Sequence, residues 1–148
     1  MKNILNFISF IFETAQSKMR LGHSDPLEVV FTPHALLRMS WRDDDDEQAR
    51  WRKITLKEGE DVVRSQKGYM IDMCRTNKPN SSERDRDKSE WHFSIKIESD
   101  RFGYMLQGTN FMVAMKEDFR KMSWVATVKT FKIQDNWADR PRDWVITL

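Results

Sequence analysis

The feature of this sequence that most constrains its fold is a run of alternating residues at 91–99. In an extended strand, Phe93, Ile95 and Ile97 would point to one face of a sheet, and the polar residues between them, beginning with His92, would point to the other. Further strand candidates follow at the spacing of β-hairpins: 104–107, 111–115 and 124–131. The last of these is the richest in β-branched residues. This arrangement predicts an antiparallel sheet in the second half of the chain.

The first half of the chain carries two helix-start signals. Residues 32–33 combine a threonine N-cap with proline at the first helical position. Residues 55–58 have the Thr-x-x-Glu spacing of a capping box, and Gly68 would close the helix that follows. The predicted helices are therefore 33–42 and 56–67. Two short apolar runs are predicted as strands: 27–31 and 69–73.

The order of these elements indicates an α+β fold, an antiparallel sheet of four to five strands with two to three helices packed on one face. The length of 148 residues suits one domain and leaves no room for a second core. Within that domain we expect an amphipathic N-terminal helix over 1–21, a core over 27–131 and a C-terminal extension over 132–148.

The N-terminal segment is apolar but regularly interrupted. Polar residues recur every three to four positions, which is the spacing of an amphipathic helix with one solvent-facing polar stripe. A helix over 4–20 docked on the domain is the favoured interpretation, with a signal peptide or a membrane-surface anchor as the alternative. The apolar stretch is too short to span a bilayer.

Charge and cysteine content limit the possible classes of function. Lysine and arginine number 25 and aspartate and glutamate 23, so the net charge of +2 neither indicates nor excludes a nucleic-acid partner. The acidic run Asp43 to Glu47, most simply a solvated stretch, offsets basic charge elsewhere. A single cysteine, Cys74, excludes an internal disulfide and favours a reducing compartment such as the cytoplasm. Because no glycine-rich phosphate loop or histidine metal spacing occurs, we expect neither a cofactor nor a metal.

Two residues of the predicted helix 33–42 could serve phosphodiester chemistry. His34 and Arg38 are four residues apart and would lie on one stripe of the helix. An imidazole can carry a proton near neutral pH, and a guanidinium can hold a phosphate through two hydrogen bonds. The alternative is a solvated helix face without a role.

Three further residues are candidates, each with an ordinary alternative. His92 could meet His34 as acid and base, or be a surface histidine. Lys129 interrupts the β-branched run and is either an edge-strand gatekeeper or a phosphate contact. Arg64 lies late in the second helix, where a plain surface arginine is the alternative. If RNA is bound, Arg38, Arg64 and Lys129 are expected to converge into one basic patch.

The stretch His34-Ala-Leu-Leu-Arg38-Met39 resembles the HxLxR helix of the RelE-like small endoribonucleases. Residues 52–58 and 61–63 are similar to the segment that follows this helix in that superfamily. Within it, the chain resembles most the RegB-like early-mRNA endoribonucleases of T-even bacteriophages. The similarity covers residues 27–131 and includes these stretches: 69–72, 111–115 and 125–130.

The resemblance implies an activity and roles for residues. Such enzymes cleave messenger RNA without a metal: the ribose 2′-oxygen attacks the phosphate and leaves a cyclic phosphate and a 5′-hydroxyl. His34 matches the histidine of the family and would be the general acid or base. The second family histidine falls near Arg64, which can stabilise an anionic transition state but cannot shuttle protons at pH 7. Either His92 has taken over this role, or the protein binds RNA without cutting it.

Two functions therefore stay open. The first is a metal-independent endoribonuclease of phage or mobile-element type, acting on messenger RNA in the cytoplasm of a host cell. The second is a non-enzymatic viral module on the same scaffold that binds RNA or a host protein. We expect neither DNA nor a membrane span. Geometry separates the two, because catalysis needs His34 close to His92, Arg64 or Lys129 around one concave face.

Overall fold

The computed structural model describes residues 25–40, 54–82, 85–133 and 142–148. These residues form a five-stranded mixed sheet with three α-helices, so the predicted α+β class is confirmed. In chain order the elements are β1 (Leu27–Phe31), α1 (Pro33–Ser40), α2 (Leu56–Ser65), α3 (Lys67–Thr76), β2 (Trp91–Lys96), a 3-10 turn (Tyr104–Leu106), β3 (Thr109–Asp118), β4 (Ser123–Ile133) and β5 (Trp144–Thr147).

The strands lie in the order β1-β4-β3-β2-β5. The three central strands are antiparallel, as the hairpin spacing predicts. The two outer strands pair in parallel, β1 with β4 and β5 with β2. The prediction of a wholly antiparallel order is therefore corrected at both edges. Parallel neighbours need a long crossover, and each edge strand is far in sequence from the strand it pairs with.

One face of the sheet carries the core. The alternation predicted for β2 is confirmed, since Phe93, Ile95 and Ile97 are all buried. Helix α2 packs on this face so closely that a Cβ at Gly59 would lie 3.2 Å from the ring of Phe31. Helix α3 ends on the same face, where Trp91 Nε1 donates a hydrogen bond of 2.9 Å to the Asn77 carbonyl. Helices α2 and α3 therefore lie on the Phe93 face of the sheet.

The opposite face carries the polar residues of β2. His92 and Ser94 point to it, yet they are only 5% and 1% exposed. Part of the cover comes from the segment before β2, because the carboxylates of Asp85 and Glu90 contact the His92 ring. The alternative of a surface histidine at position 92 is therefore excluded.

Two predictions in the helical half need correction. Residues 69–73, predicted as a strand, lie in α3, where Met70, Ile71 and Cys74 form its buried stripe. A short apolar run fits a buried strand or a buried helix turn equally well, so periodicity alone could not separate them. Gly68 does not close the second helix, because α2 already ends at Ser65 and α3 begins two residues later.

Two predictions in the strand half also differ from the structure. Residues 104–107 do not form a strand, since Tyr104–Leu106 is a 3-10 turn anchored by the buried Leu106. Residues 144–147 add strand β5 to the sheet, whereas the sequence predicts only a C-terminal extension there. Helix α1 is described as far as Ser40. The predicted helix 4–20 and the acidic run 43–47 lie outside the described residues. Among the described helices, none has the length and apolar character needed to cross a membrane.

Candidate functional site

The start of α1 is fastened to β4. Thr32 continues the β1 ladder by donating its N–H to the Val128 carbonyl at 3.1 Å. Its hydroxyl donates to the Lys129 carbonyl at 2.8 Å and accepts the N–H of Ala35 at 3.1 Å. The predicted N-cap is thus present and has a second partner in the sheet. It places the first turn of α1 directly beside Lys129.

Lys129 occupies a β-bulge. Met112 pairs with Thr130 and Val113 pairs with Val128, so Lys129 is the extra residue of β4 at this step. A bulge turns a side chain out of the regular alternation and is common beside active sites. The strand order places β4 inside the sheet, with Thr32 at the flank of Lys129, so the lysine does not guard a sheet edge. The gatekeeper interpretation is therefore disfavoured.

His34 is exposed in the first turn of α1, two residues from Thr32. Ala35 and Met39 form the buried stripe of this helix. His34 and Arg38, one position earlier in each turn, follow the boundary of that stripe, with His34 exposed and Arg38 half-buried. His34 is therefore exposed and lies two residues after Thr32, whose hydroxyl is bonded to the Lys129 backbone.

Glu90 links Lys129 to His92. Its Oε1 atom lies 3.4 Å from Lys129 Nζ and 3.7 Å from His92 Nε2. Asp85 Oδ2 lies at the same distance of 3.7 Å from His92 Nε2. The lysine side chain is 45% exposed and the histidine side chain only 6%, so the cluster runs from the surface inwards. His92 thus lies at the buried end of the cluster.

The segment that carries these carboxylates is held in place by its own hydrogen bonds. The Ser81 hydroxyl bonds to the carbonyls of Asp87 and Glu90 at 3.1 and 2.9 Å. Lys116 on β3 donates to Asp87, and this bond, together with those from Ser89, holds the pKa of the Asp87 carboxyl well below its usual range. The same contact raises the pKa of Lys116. The segment is therefore bonded to the sheet by ionic contacts on both sides of His92.

Arg64 is elsewhere. Its Nε atom pairs with Glu60 at 2.6 Å, and its Nη1 atom donates to the Leu27 carbonyl at 2.8 Å. Leu27 begins β1, whereas α1 follows the other end of that strand, four residues or about 13 Å away. The structure therefore does not bring Arg64 together with Lys129, and the expected three-residue basic patch is not formed with Arg64.

Cys74 takes no part in the site. It is buried on α3, and burial, with a smaller contribution from the charge of Glu117, raises the pKa of its thiol far above the ordinary value. A thiol of this kind is not nucleophilic near neutral pH. Among the described residues, no group of three or more histidine, cysteine, aspartate or glutamate side chains is arranged to hold a metal ion.

Sequence reasoning missed the two carboxylates of the cluster. Asp85 and Glu90 lie in a polar stretch that composition identifies only as a loop. The one available signal was position, because Glu90 directly precedes β2 and so starts two residues from His92. Comparisons of the chain with known protein families, curated proteins and solved structures find no match.

Proposed function

We propose that this chain is a metal-independent endoribonuclease that binds messenger RNA with the reacting phosphate between His34 and Lys129. The observation that carries the proposal is a pair of hydrogen bonds made by the Thr32 hydroxyl. It donates to the Lys129 carbonyl and accepts the N–H of Ala35, so it connects the first turn of α1 to β4. The bond to the Lys129 carbonyl supports the pairing of a proton carrier, His34, with a cation, Lys129, because it joins the backbone segments that carry them. Both are residue types that phosphodiester cleavage needs.

The proposed reaction is a transesterification within the RNA. The ribose 2′-oxygen forms a bond to phosphorus, the bond to the 5′-oxygen breaks, and a 2′,3′-cyclic phosphate is left. One group takes the proton of the 2′-hydroxyl, and one gives a proton to the departing 5′-oxygen. The imidazole of His34 can fill either role near neutral pH. The ammonium of Lys129 stabilises the added negative charge of the transition state.

The cluster behind Lys129 supports this role. Glu90 keeps the ammonium directed along the sheet face, at 3.4 Å from the carboxylate, while leaving nearly half of the lysine side chain exposed. Glu90 is also the second group able to transfer a proton, since it lies between Lys129 and His92. His92, with 6% of its side chain exposed, then positions Glu90 and does not touch the RNA.

The test is a cleavage assay with a labelled transcript in EDTA, scored for cyclic-phosphate ends. We expect the wild-type chain to produce them and His34→Ala to lose about 100-fold or more of the rate. The free energy of unfolding should change by less than about 1 kcal/mol, because an exposed helix residue contributes little to folding.

His23→Ala is the matched control, since His23 is a histidine of the same chain to which no role is assigned. It should cleave at the wild-type rate. Cleavage by His34→Ala at the wild-type rate would remove His34 from the mechanism and the proposal with it.

A second function is favoured by one observation. Leu36 and Leu37, next to His34 on α1, are 43% and 62% exposed. Neighbouring exposed leucines contribute to a protein-binding surface where they belong to a larger apolar patch. A wild-type chain that binds a host protein or RNA but produces no cyclic-phosphate ends would be a binding module on this scaffold.

A further inference from the structure

The loop between β2 and β3 lies at the same end of the sheet as the proposed site. β3 begins at Thr109, which pairs with Ile133, the last residue of β4. Lys129 is four residues earlier on β4, and α1 starts beside it. The loop is therefore within about 15 Å of the proposed phosphate position, measured along the strand.

Lysines on β2 and β4 lie between the proposed site and this loop. Lys96 and Lys132 both pair with Asn110, so they flank it in one row on the same face, about 10 Å apart. This is the face of His92, and the contact with Glu90 places the ammonium of Lys129 there as well. The row of cations can follow the phosphates of a single strand.

Tyr104 stands in this loop with 71% of its surface exposed. The turn that holds it is closed by two bonds, from Gly103 N to the Asp100 carbonyl at 2.8 Å and from Leu106 N to the Gly103 carbonyl at 3.1 Å. Leu106, 1% exposed, anchors the turn in the core. The ring is thus presented on a fixed backbone, which lowers the entropy lost when a ligand binds.

Charge in the loop also suits an anionic strand. The Arg101 guanidinium lies 5.1 Å from the centre of the Phe102 ring, which keeps the cation at the loop. Glu90, Glu98 and Asp100 offset three of the four positive charges contributed by the residues Lys96, Lys129, Lys132 and Arg101. Among these seven residues the balance is positive by one charge.

We propose that Tyr104 stacks on an unpaired base of single-stranded RNA whose backbone crosses Lys132 and Lys129. The inference rests on the proposed function and adds a base-binding subsite to it. An exposed aromatic ring in a loop at the end of a line of cations suits the way in which proteins hold single strands without reading their sequence. The ligand is a strand of a few nucleotides, with one base on Tyr104 and a phosphate further along the same strand at His34.

The test is binding of a fluorescent 2′-O-methyl RNA oligonucleotide of about 12 nucleotides, within the range of strand lengths such surfaces bind. Its 2′-oxygens are blocked, so it binds without being cleaved. We expect Tyr104→Ala to weaken binding about tenfold or more, and Tyr104→Phe to bind as the wild type does. An oligomer with the same backbone but without bases should bind Tyr104→Ala and wild type equally.

Phe119→Ala is the matched control, because Phe119 is 69% exposed in the turn between β3 and β4, at the opposite end of the sheet. It should bind RNA as the wild type does. Equal binding by Tyr104→Ala and wild type, or an equal loss in Phe119→Ala, would overturn the stacking subsite while RNA binding itself remained. Absence of RNA binding by the wild-type chain would overturn the proposed function and this inference together.

Discussion

Burial makes the thiol of the single cysteine unreactive in the folded state. Cys74 is 3% exposed, and the pKa of its thiol is raised by burial first and by Glu117 second. The folded state therefore keeps the proton that the unfolded chain loses near the ordinary pKa of about 8.5. Since the folded state then binds more protons, the free energy of unfolding should fall as the pH rises above that value.

Reactivity of Cys74 tests this. In the native chain at pH 8, the thiol should react with a disulfide reagent far more slowly than in the urea-unfolded chain, where it becomes exposed as thiolate. The absorbance of the released thiol reports one site, since the sequence has one cysteine. Equal rates in the two states would show that the thiol is accessible.

Single residues also show what sequence could and could not predict about the site. The N-cap at Thr32 and the candidates His34 and Lys129 follow from local chemistry, and the structure bonds the cap to the Lys129 backbone. The role of Glu90 does not follow, because it depends on the distance to Lys129 across the sheet. The position of Arg64 could not be predicted for the same reason, because its hydrogen-bond partner Leu27 is 37 residues away in the chain.

At the scale of elements, signals at helix starts predicted more than apolar runs did. The capping box is present in full, with the Thr55 hydroxyl accepting from Glu58 N at 3.1 Å and the Glu58 carboxylate accepting from Thr55 N at 2.9 Å. A cap is fixed by neighbours within four residues. The run 69–73 became helical because α3 can bury it on the sheet, which is a tertiary effect.

Helix α2 has a glycine, Gly59, at a position where an added side-chain carbon would be crowded by the Phe31 ring. Replacement of a helical glycine by alanine normally stabilises by up to about 1 kcal/mol. At Gly59 the new Cβ would lie 3.2 Å from the Phe31 ring, and crowding of this kind costs about 1–3 kcal/mol. We expect Gly59→Ala to lower the free energy of unfolding by about 1 kcal/mol in urea titrations.

The double variant with Phe31→Leu supplies the control for this prediction. With the ring removed, Gly59→Ala should become neutral or stabilising, because only the helix preference remains. A loss of stability that stayed the same in the Phe31→Leu background would show that the crowding lies elsewhere.

At the scale of the whole molecule, the two ends of the sheet should differ in their response to RNA. If three phosphates are neutralised, the logarithm of affinity should fall with that of salt at a slope of about −2 for a single strand. Lys129→Ala should flatten this slope by somewhat less than one unit. Arg64→Ala, which removes the same charge at the far end of β1, should leave it unchanged. Fluorescence anisotropy between dilute and physiological salt measures both, and equal slopes in the two variants would contradict the assignment of the site.

The bond between Thr32 and Lys129 joins residues 97 positions apart. At the usual pace of protein synthesis, about 5–20 residues per second, roughly 5–20 seconds separate the making of one from the making of the other. During that time β1 has no strand to pair with, and the apolar side of α1 has no sheet to cover it. Such non-local pairing also slows folding after release. The apolar surface of β1 and α1 is therefore left for chaperones to bind until β4 is complete.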